Sequence, residues 1–280
     1  WPGHPLGRSI AGTVETVSSI SRQELVDHQK KYYRAQNMVV VFAGNAGHEE
    51  CLNFVHKALD NPQVKIQDYS FQKFISRQKK PELISLPKDI EQTKLAIGFP
   101  AYDREHPKRY ALSLAAVILG GNMSSRLFNE IREKKGLAYE ISSQYKQLND
   151  TGAFYIHAGL DNKKIDLALE LTLKELRKLK NNLVPEPELS RAKEYSLSHL
   201  AMSLEDTMEH MIFLGSEAST TGRLIDYQKI KKEISRVKPK DIKDASREIF
   251  DKGKINISLV GPVKDFNKDK CFADIDKILN

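Results

Sequence analysis

Apolar residues recur at helical spacing over much of this chain, and short apolar runs bounded by Gly, Pro, Asn and Asp lie between those stretches. Ile165, Ala168, Leu169, Leu173, Leu176 and Leu179 form one stripe, which predicts an amphipathic helix. Leu197, Leu200, Ala201, Leu204, Met208 and Met211 form another, on a long helix begun near Pro187. Residues 108–119 read as an Ala- and Leu-rich helix closed by Gly120-Gly121. Residues 125–134 read as a second helix, with Ser124 or Ser125 as N-cap and Gly136 as its stop. Period-two apolar runs predict a strand over 92–98 and a β-hairpin, 138–145 with 153–158, around Asn149-Asp-Thr-Gly152.

Toward the N-terminus, Ser21-Arg-Gln-Glu24 is a capping box that opens a helix running to about Tyr33. Residues 38–43, ended by Gly44, read as a short buried strand, and 49–59 as a helix with Leu52, Val55 and Leu59 on one side. The same helix and strand are written again 217 positions later: Ile20, Leu25, Tyr33, Val40, Phe42 and Gly44 meet Val237, Ile242, Phe250, Ile257, Leu259 and Gly261. With three extra residues in the next loop, Cys51 to Leu59 meets Cys271 to Leu279. So long a period predicts two copies of one domain, and only the tail of the first copy lies in this sequence. The predicted fold class is α+β: a tandem repeat with the first copy truncated, each repeat a mostly antiparallel sheet with helices packed on it. Residues 1–68 are assigned to the first repeat and 86–280 to the complete second. Residues 61–85, with Pro62, Pro81 and a basic run at 77–80, read as the connection, with one strand near 64–67 and 69–85 as the linker itself.

Composition narrows the class without naming an activity. At 280 residues, 40% hydrophobic and 29% charged, the chain reads as globular. It has no apolar run of about 18 residues, so no membrane span is expected; its start has no signal pattern, which in a fragment leaves the compartment open, the cytoplasm only slightly favoured. The net charge of +7 is spread among acids, as in Lys174-Glu-Leu-Arg-Lys-Leu-Lys180. Without interleaved aromatics or zinc-finger spacing, these charges read as solvated helix faces rather than a nucleic-acid surface. Cys51 and Cys271 stand at equivalent repeat positions, without metal spacing, and read as small buried hydrophobes rather than a disulfide.

A hydrolytic zinc site on a helix needs two His one turn apart with a Glu as general base, and no such pair is present. Asp206-Thr-Met-Glu-His210 comes nearest, with Asp206 where the first His belongs; His48 and His56 lie two turns apart. Phosphate-cradling loops and a Gly-x-Ser-x-Gly elbow are also missing. One segment concentrates chemistry. Arg132 comes late in a helix, Gly136 breaks it, and Tyr139 opens the following strand. A guanidinium and a phenol so placed offer donors to the backbone carbonyls of an extended chain, and the strand offers an edge for peptide addition. On the residues alone, an ordinary helix-cap salt bridge and a packed Tyr are the favoured account of the same pair.

Ser124-Ser-Arg-Leu-Phe-Asn-Glu-Ile-Arg-Glu-Lys-Lys-Gly-Leu-Ala-Tyr139 resembles the second-domain signature of the pitrilysin/insulinase zinc peptidases, which include the processing peptidases. His4-Pro-Leu-Gly-Arg-Ser-Ile-Ala-Gly12, Asn37-Met-Val-Val-Val-Phe-Ala-Gly44 and Leu119-Gly-Gly-Asn-Met-Ser-Ser-Arg126 resemble other family segments in the right order, so the resemblance covers essentially the whole chain. It implies a zinc-dependent endopeptidase acting on peptide or unfolded polypeptide, with a second copy or homologous subunit as partner. It also implies that the zinc of the parent enzyme, held by His-x-x-Glu-His and a distant Glu, binds upstream of this chain. Helix 108–119 would be the silent copy of that zinc helix, and Glu15 falls downstream of the third ligand's place. No catalytic or metal residue is therefore assigned here. Arg132 and Tyr139 are assigned as substrate-binding residues by the family's use of an Arg and a Tyr of this motif. An inactive family subunit that binds peptide or serves as a scaffold is the alternative.

Overall fold

The Ser21–Glu24 capping box and the Ile165–Leu179 stripe each mark a helix in the computed structural model, which describes residues 1, 3–59 and 72–280. In chain order the helices and strands are α1 (Val14–Ser19), α2 (Arg22–Tyr32), α3 (His48–Leu59), β1 (Glu82–Pro87), β2 (Thr93–Ala101), α4 (Arg109–Gly120), β3 (Ala138–Gln147) and β4 (Gly152–Leu160). Then follow α5 (Ile165–Asn181), α6 (Glu186–Glu205), α7 (Thr207–Thr221), α8 (Tyr227–Arg236), α9 (Pro239–Ile249), β5 (Asn256–Gly261) and α10 (Lys268–Leu279). Contacts divide the chain into two units: Trp1–Phe74 with Met202–Ile225, and Ile75–Ala201 with Asp226–Asn280. No helix among the described residues is long and apolar enough to cross a membrane.

In the first unit, α2 starts where the sequence places it. Ser21 Oγ accepts the Glu24 N–H at 3.2 Å, and the Glu24 carboxylate takes the Ser21 N–H at 2.8 Å. The Ser21 N–H and the Ser21 hydroxyl, both donating to that carboxylate, hold the Glu24 carboxyl below its usual range. Residues 38–43 do not form the expected buried strand: they carry no strand assignment, and Val39, Val40 and Phe42 are exposed. A strand exists only against a partner that takes its N–H and C=O groups, and the described residues of this unit supply none. The strand expected near 64–67 lies outside the described residues. The long helix expected from Pro187 through Met211 is also two helices, because Asp206 stops the first and caps the second. Its carboxylate accepts the N–H groups of Met208 and Glu209, each at 2.9 Å. The break has a local reason: a carboxylate neutralises free amides and favours a helix start.

The second unit holds a five-stranded sheet in the order β1-β5-β2-β4-β3. Only β1–β5 is parallel; the other pairings are antiparallel, so the sheet is mixed. β1 begins within the stretch read as connection and runs two residues beyond its end at 85. Alternation sorts the faces: Leu95, Ile97 and Phe99 of β2, Phe154, Ile156 and Ala158 of β4, and Ile257 and Leu259 of β5 are buried in the core. α4, α5, α9 and α10 supply much of the rest of that core through residues such as Leu112, Leu119, Leu173, Leu176, Ile242 and Ile275. Phe250, at the end of α9, meets Phe154 at 4.8 Å and Phe99 at 5.3 Å between ring centres, tying helix to sheet. On the other face, Ile84 and Leu86 of β1 and Lys94 and Ala96 of β2 are exposed, as in a sheet covered on one side. α8 had no counterpart in the sequence reading. Tyr227, Ile230 and Ile234 at helical spacing explain it, with Ile230 and Ile234 packed on the core. Cys271 is buried as expected, and burial pushes its thiol up to about 12; Cys51 is half-buried, and both are free.

Candidate functional site

The segment from the end of α4 into β3 is built on close approaches and two backbone irregularities. α4 can lie against β3 because Gly120 has no side chain: a Cβ there would stand 2.5 Å from the Ser143 N. Ser143 Oγ then donates to the Ala116 carbonyl at 2.7 Å. In the turn that follows, Asn122 Oδ1 accepts the Ser124 N–H at 2.9 Å. The expected Ser cap is not made: the Ser125 hydroxyl is buried without a partner, and the Asn122 bond closes the turn that precedes the helix at Arg126.

The next helical stretch widens over Phe128–Glu133 into a π-helix, with the Lys134 N–H reaching five residues back to the Asn129 carbonyl at 2.9 Å. Leu127 and Ile131, both fully buried, anchor one side of it. Arg132 sits on the exposed side, its guanidinium carbon 4.8 Å from the centre of the Phe128 ring. At this exposure the ring contributes about 0.5–1 kcal/mol to holding the cation. Gly136, at φ +57°, turns the chain out of the helix, a conformation that costs other residues about 1 kcal/mol. Its N–H bonds to the Arg132 carbonyl at 3.0 Å, and the Leu137 N–H bonds to the Ile131 carbonyl at 2.9 Å.

β3 then opens on a bulge. Ala138 pairs with Leu160 and Glu140 with Gly159, so Tyr139 is the extra residue. It is 63% exposed. Beside it, Glu140 is held below the usual carboxylate range by its hydrogen bond and ion pair with Lys94 at 2.9 Å. Those two side chains meet over Gly159, where a Cβ would lie 3.1 Å from Lys94 Nζ and 3.3 Å from Glu140 Cγ. Farther along the same face, Ser142 Oγ is 2.9 Å from His157 Nε2, and the Tyr155 hydroxyl donates to Gln144 Oε1 at 2.7 Å. Arg132 and Tyr139 thus stand on exposed segments joined through Gly136. Among the described residues Arg132 makes no ion pair and Tyr139 no hydrogen bond.

The residues present do not fit a catalytic zinc. No group of three His, Cys, Asp or Glu side chains among the described residues stands together to hold a metal ion. α4 carries Ala111, Leu112, Ala115 and Ala116, all buried and without ligand atoms. Asp206 is occupied as a helix cap, and His210 lies four residues farther into that helix.

The fold of this chain also occurs in solved structures. A peptidase M16 inactive domain from Pseudomonas fluorescens superposes with a TM-score of 0.81 at 24% identity, covering 94% of this chain and 62% of that one. A chain of complex III2 from Candida albicans gives 0.82 at 20% identity, covering 98% and 67%. In sequence, the family described as the peptidase M16 inactive domain matches residues 19–195, and the chain belongs to that family. A Rickettsia bellii protein named an uncharacterized zinc protease is 31% identical over 260 residues, which are 92% of this chain and 61% of that protein. The chain spans about 60% of the length of the curated relatives it matches.

Proposed function

We propose that this chain is the C-terminal part of a zinc-dependent M16 endopeptidase of the processing-peptidase type, and that it supplies the wall that holds the substrate. The observation that carries the reading is the pair of irregularities around Gly136: a widened helical turn presents Arg132 and a strand bulge presents Tyr139, both exposed and without polar partners among the described residues. The guanidinium and the phenolic hydroxyl donate to successive backbone carbonyls of an extended peptide, so recognition falls on the main chain and tolerates many sequences. Zinc in the family activates the water that attacks the peptide bond. Its ligands would come from residues outside this chain, and the residues here bind and orient.

The tandem repeat belongs to the same reading, with 1–68 as the tail of the catalytic-type copy, 69–85 as the linker and 86–280 as the second copy. Element boundaries support it. α2 and α9 are offset by 217 residues at both ends, as are the short turns Ala35–Asn37 and Lys252–Lys254. α3 and α10 are offset by 220, the three extra loop residues included. In the whole protein, 38–43 would then pair as β5 does, between two strands contributed by upstream residues. Length agrees: 260 aligned residues forming 61% of the Rickettsia bellii protein put it near 430 residues, about what the missing front of one repeat requires.

A second reading is a non-catalytic subunit that binds peptide or scaffolds a partner, favoured by the likeness of fold to a chain of complex III2. One comparison tests the first reading against it. The full-length protein should hydrolyse an unstructured peptide and lose that activity to a chelator, whereas this chain alone should bind no stoichiometric zinc and cleave nothing. Chelator-sensitive cleavage by this chain, free of longer species, overturns the assignment of the metal to upstream residues. Inactivity of zinc-supplemented full-length protein favours the second reading.

A further inference from the structure

Arg126 opens the helical stretch that carries Arg132, and it is joined to a residue 62 positions away. Its Nε donates to Glu188 Oε1 at 2.8 Å and its Nη2 to Glu188 Oε2 at 2.6 Å. The pair is two parallel bonds between a planar fork and a carboxylate, and both side chains are largely buried, 18% and 22% exposed. Burial opposes the charge on Arg126, but the hydrogen bonds and charge of Glu188 outweigh it and its ionisation shifts upward.

The far end of this pair is well fixed. Glu188 lies in the first turn of α6, where the Pro185 carbonyl accepts the N–H groups of both Glu188 and Leu189 at 3.0 Å. Leu189 is buried in the core. The pair lines a groove of about 480 Å³, together with Asn129 and Glu130 of the widened turn, Glu175 and Lys178 of α5, and Pro185. Asn129 is also the residue whose carbonyl takes the five-residue-back bond from Lys134.

A helical stretch this short does not hold its own shape, and a widened turn persists only where its surroundings fix it. Leu127 and Ile131 fix it through the core, and the Arg126–Glu188 pair ties its first residue to the start of α6. We propose that Arg126 and Glu188 are positioning residues for Arg132: their ion pair sets the widened turn that presents the Arg132 guanidinium to the peptide. This rests on the clamp reading given above. Lys at 126 keeps the charge but not the two-pronged geometry, so it should loosen the turn while leaving the fold in place.

The test is a double-mutant cycle in the full-length protein. It reads the Kd of a fluorescein-labelled unstructured peptide of about twenty residues by anisotropy, with turnover stopped by a chelator. Arg126→Lys should weaken binding about five- to thirty-fold when Arg132 is present and less than about two-fold in an Arg132→Ala background. Tm should be unchanged within the scatter of the wild type. If Arg126→Lys lowers the folded fraction, Glu188→Gln carries the same cycle, and the exchanged pair Arg126→Glu with Glu188→Arg should restore part of the affinity. Equal losses in both backgrounds, or no loss when Arg132→Ala alone weakens binding, overturn the positioning role and leave the clamp standing. No effect of Arg132→Ala overturns the clamp, and the positioning role with it.

Discussion

Phe250→Ala should lower the stability of the second unit by about 3–5 kcal/mol, the largest single loss expected in this chain. The ring is fully buried and closes α9 onto the sheet through Phe154 on β4 and Phe99 on β2. Alanine removes the transfer free energy of a whole aromatic side chain and both ring pairs, and it leaves a cavity among neighbours held by three separate elements. Little collapse is available there, which places the cost at the upper part of the range. Domains of this size are stable by only about 5–15 kcal/mol, so the variant should unfold at markedly lower urea concentration with an unchanged slope. A loss below about 1 kcal/mol would mean that this aromatic cluster is not the link between α9 and the sheet.

The second large effect is on binding. In the full-length protein, Arg132→Ala should lower kcat/KM for an unstructured peptide about 10- to 100-fold, the worth of a charge-assisted hydrogen bond. Tyr139→Phe removes a neutral donor and should cost about 2- to 10-fold. Both losses should appear mainly in KM if the two groups hold the peptide equally in ground and transition states. Because both side chains are exposed, zinc content and Tm should stay at the wild-type values. Losses confined to kcat, with KM unchanged, would place the two groups on the reacting carbonyl rather than on the flanking main chain.

Local signals made much of this fold legible. The Ser21–Glu24 capping box, the Ile165–Leu179 stripe and the Asn149-Asp-Thr-Gly turn each fit within one element and its cap, and each element formed where expected. The break at Asp206 had an equally local signal, Asp-x-x-Glu, but the apolar stripe running through it carried the reading past. Residues 38–43 form no strand in this chain for a different reason. Their composition suits a strand, yet strand formation depends on partners that sequence pattern alone does not supply. The parallel pairing of β1 with β5, over 170 residues apart, was hidden in the same way.

At the candidate site, Arg132, Gly136 and Tyr139 were readable as residue types around a helix break. The irregularities that present them were not. A π-turn and a strand bulge arise where helix and sheet must meet in a packed core, through Leu127, Ile131 and Ala138, and no residue of the segment announces them. The Arg126–Glu188 pair was likewise invisible, since nothing local relates two residues on separate helical segments.

The most direct test of the central claim places a photo-crosslinker where the peptide is proposed to lie. Full-length protein carrying Tyr139→p-benzoylphenylalanine would be irradiated with a labelled unstructured peptide, beside a control with the same change at Leu183, which is also exposed but lies outside the 132–139 junction. Strong crosslinking is expected from position 139, competed by unlabelled peptide and reduced by Arg132→Ala, with little from position 183. Equal labelling from both positions, or labelling at 139 that unlabelled peptide does not compete, would contradict it.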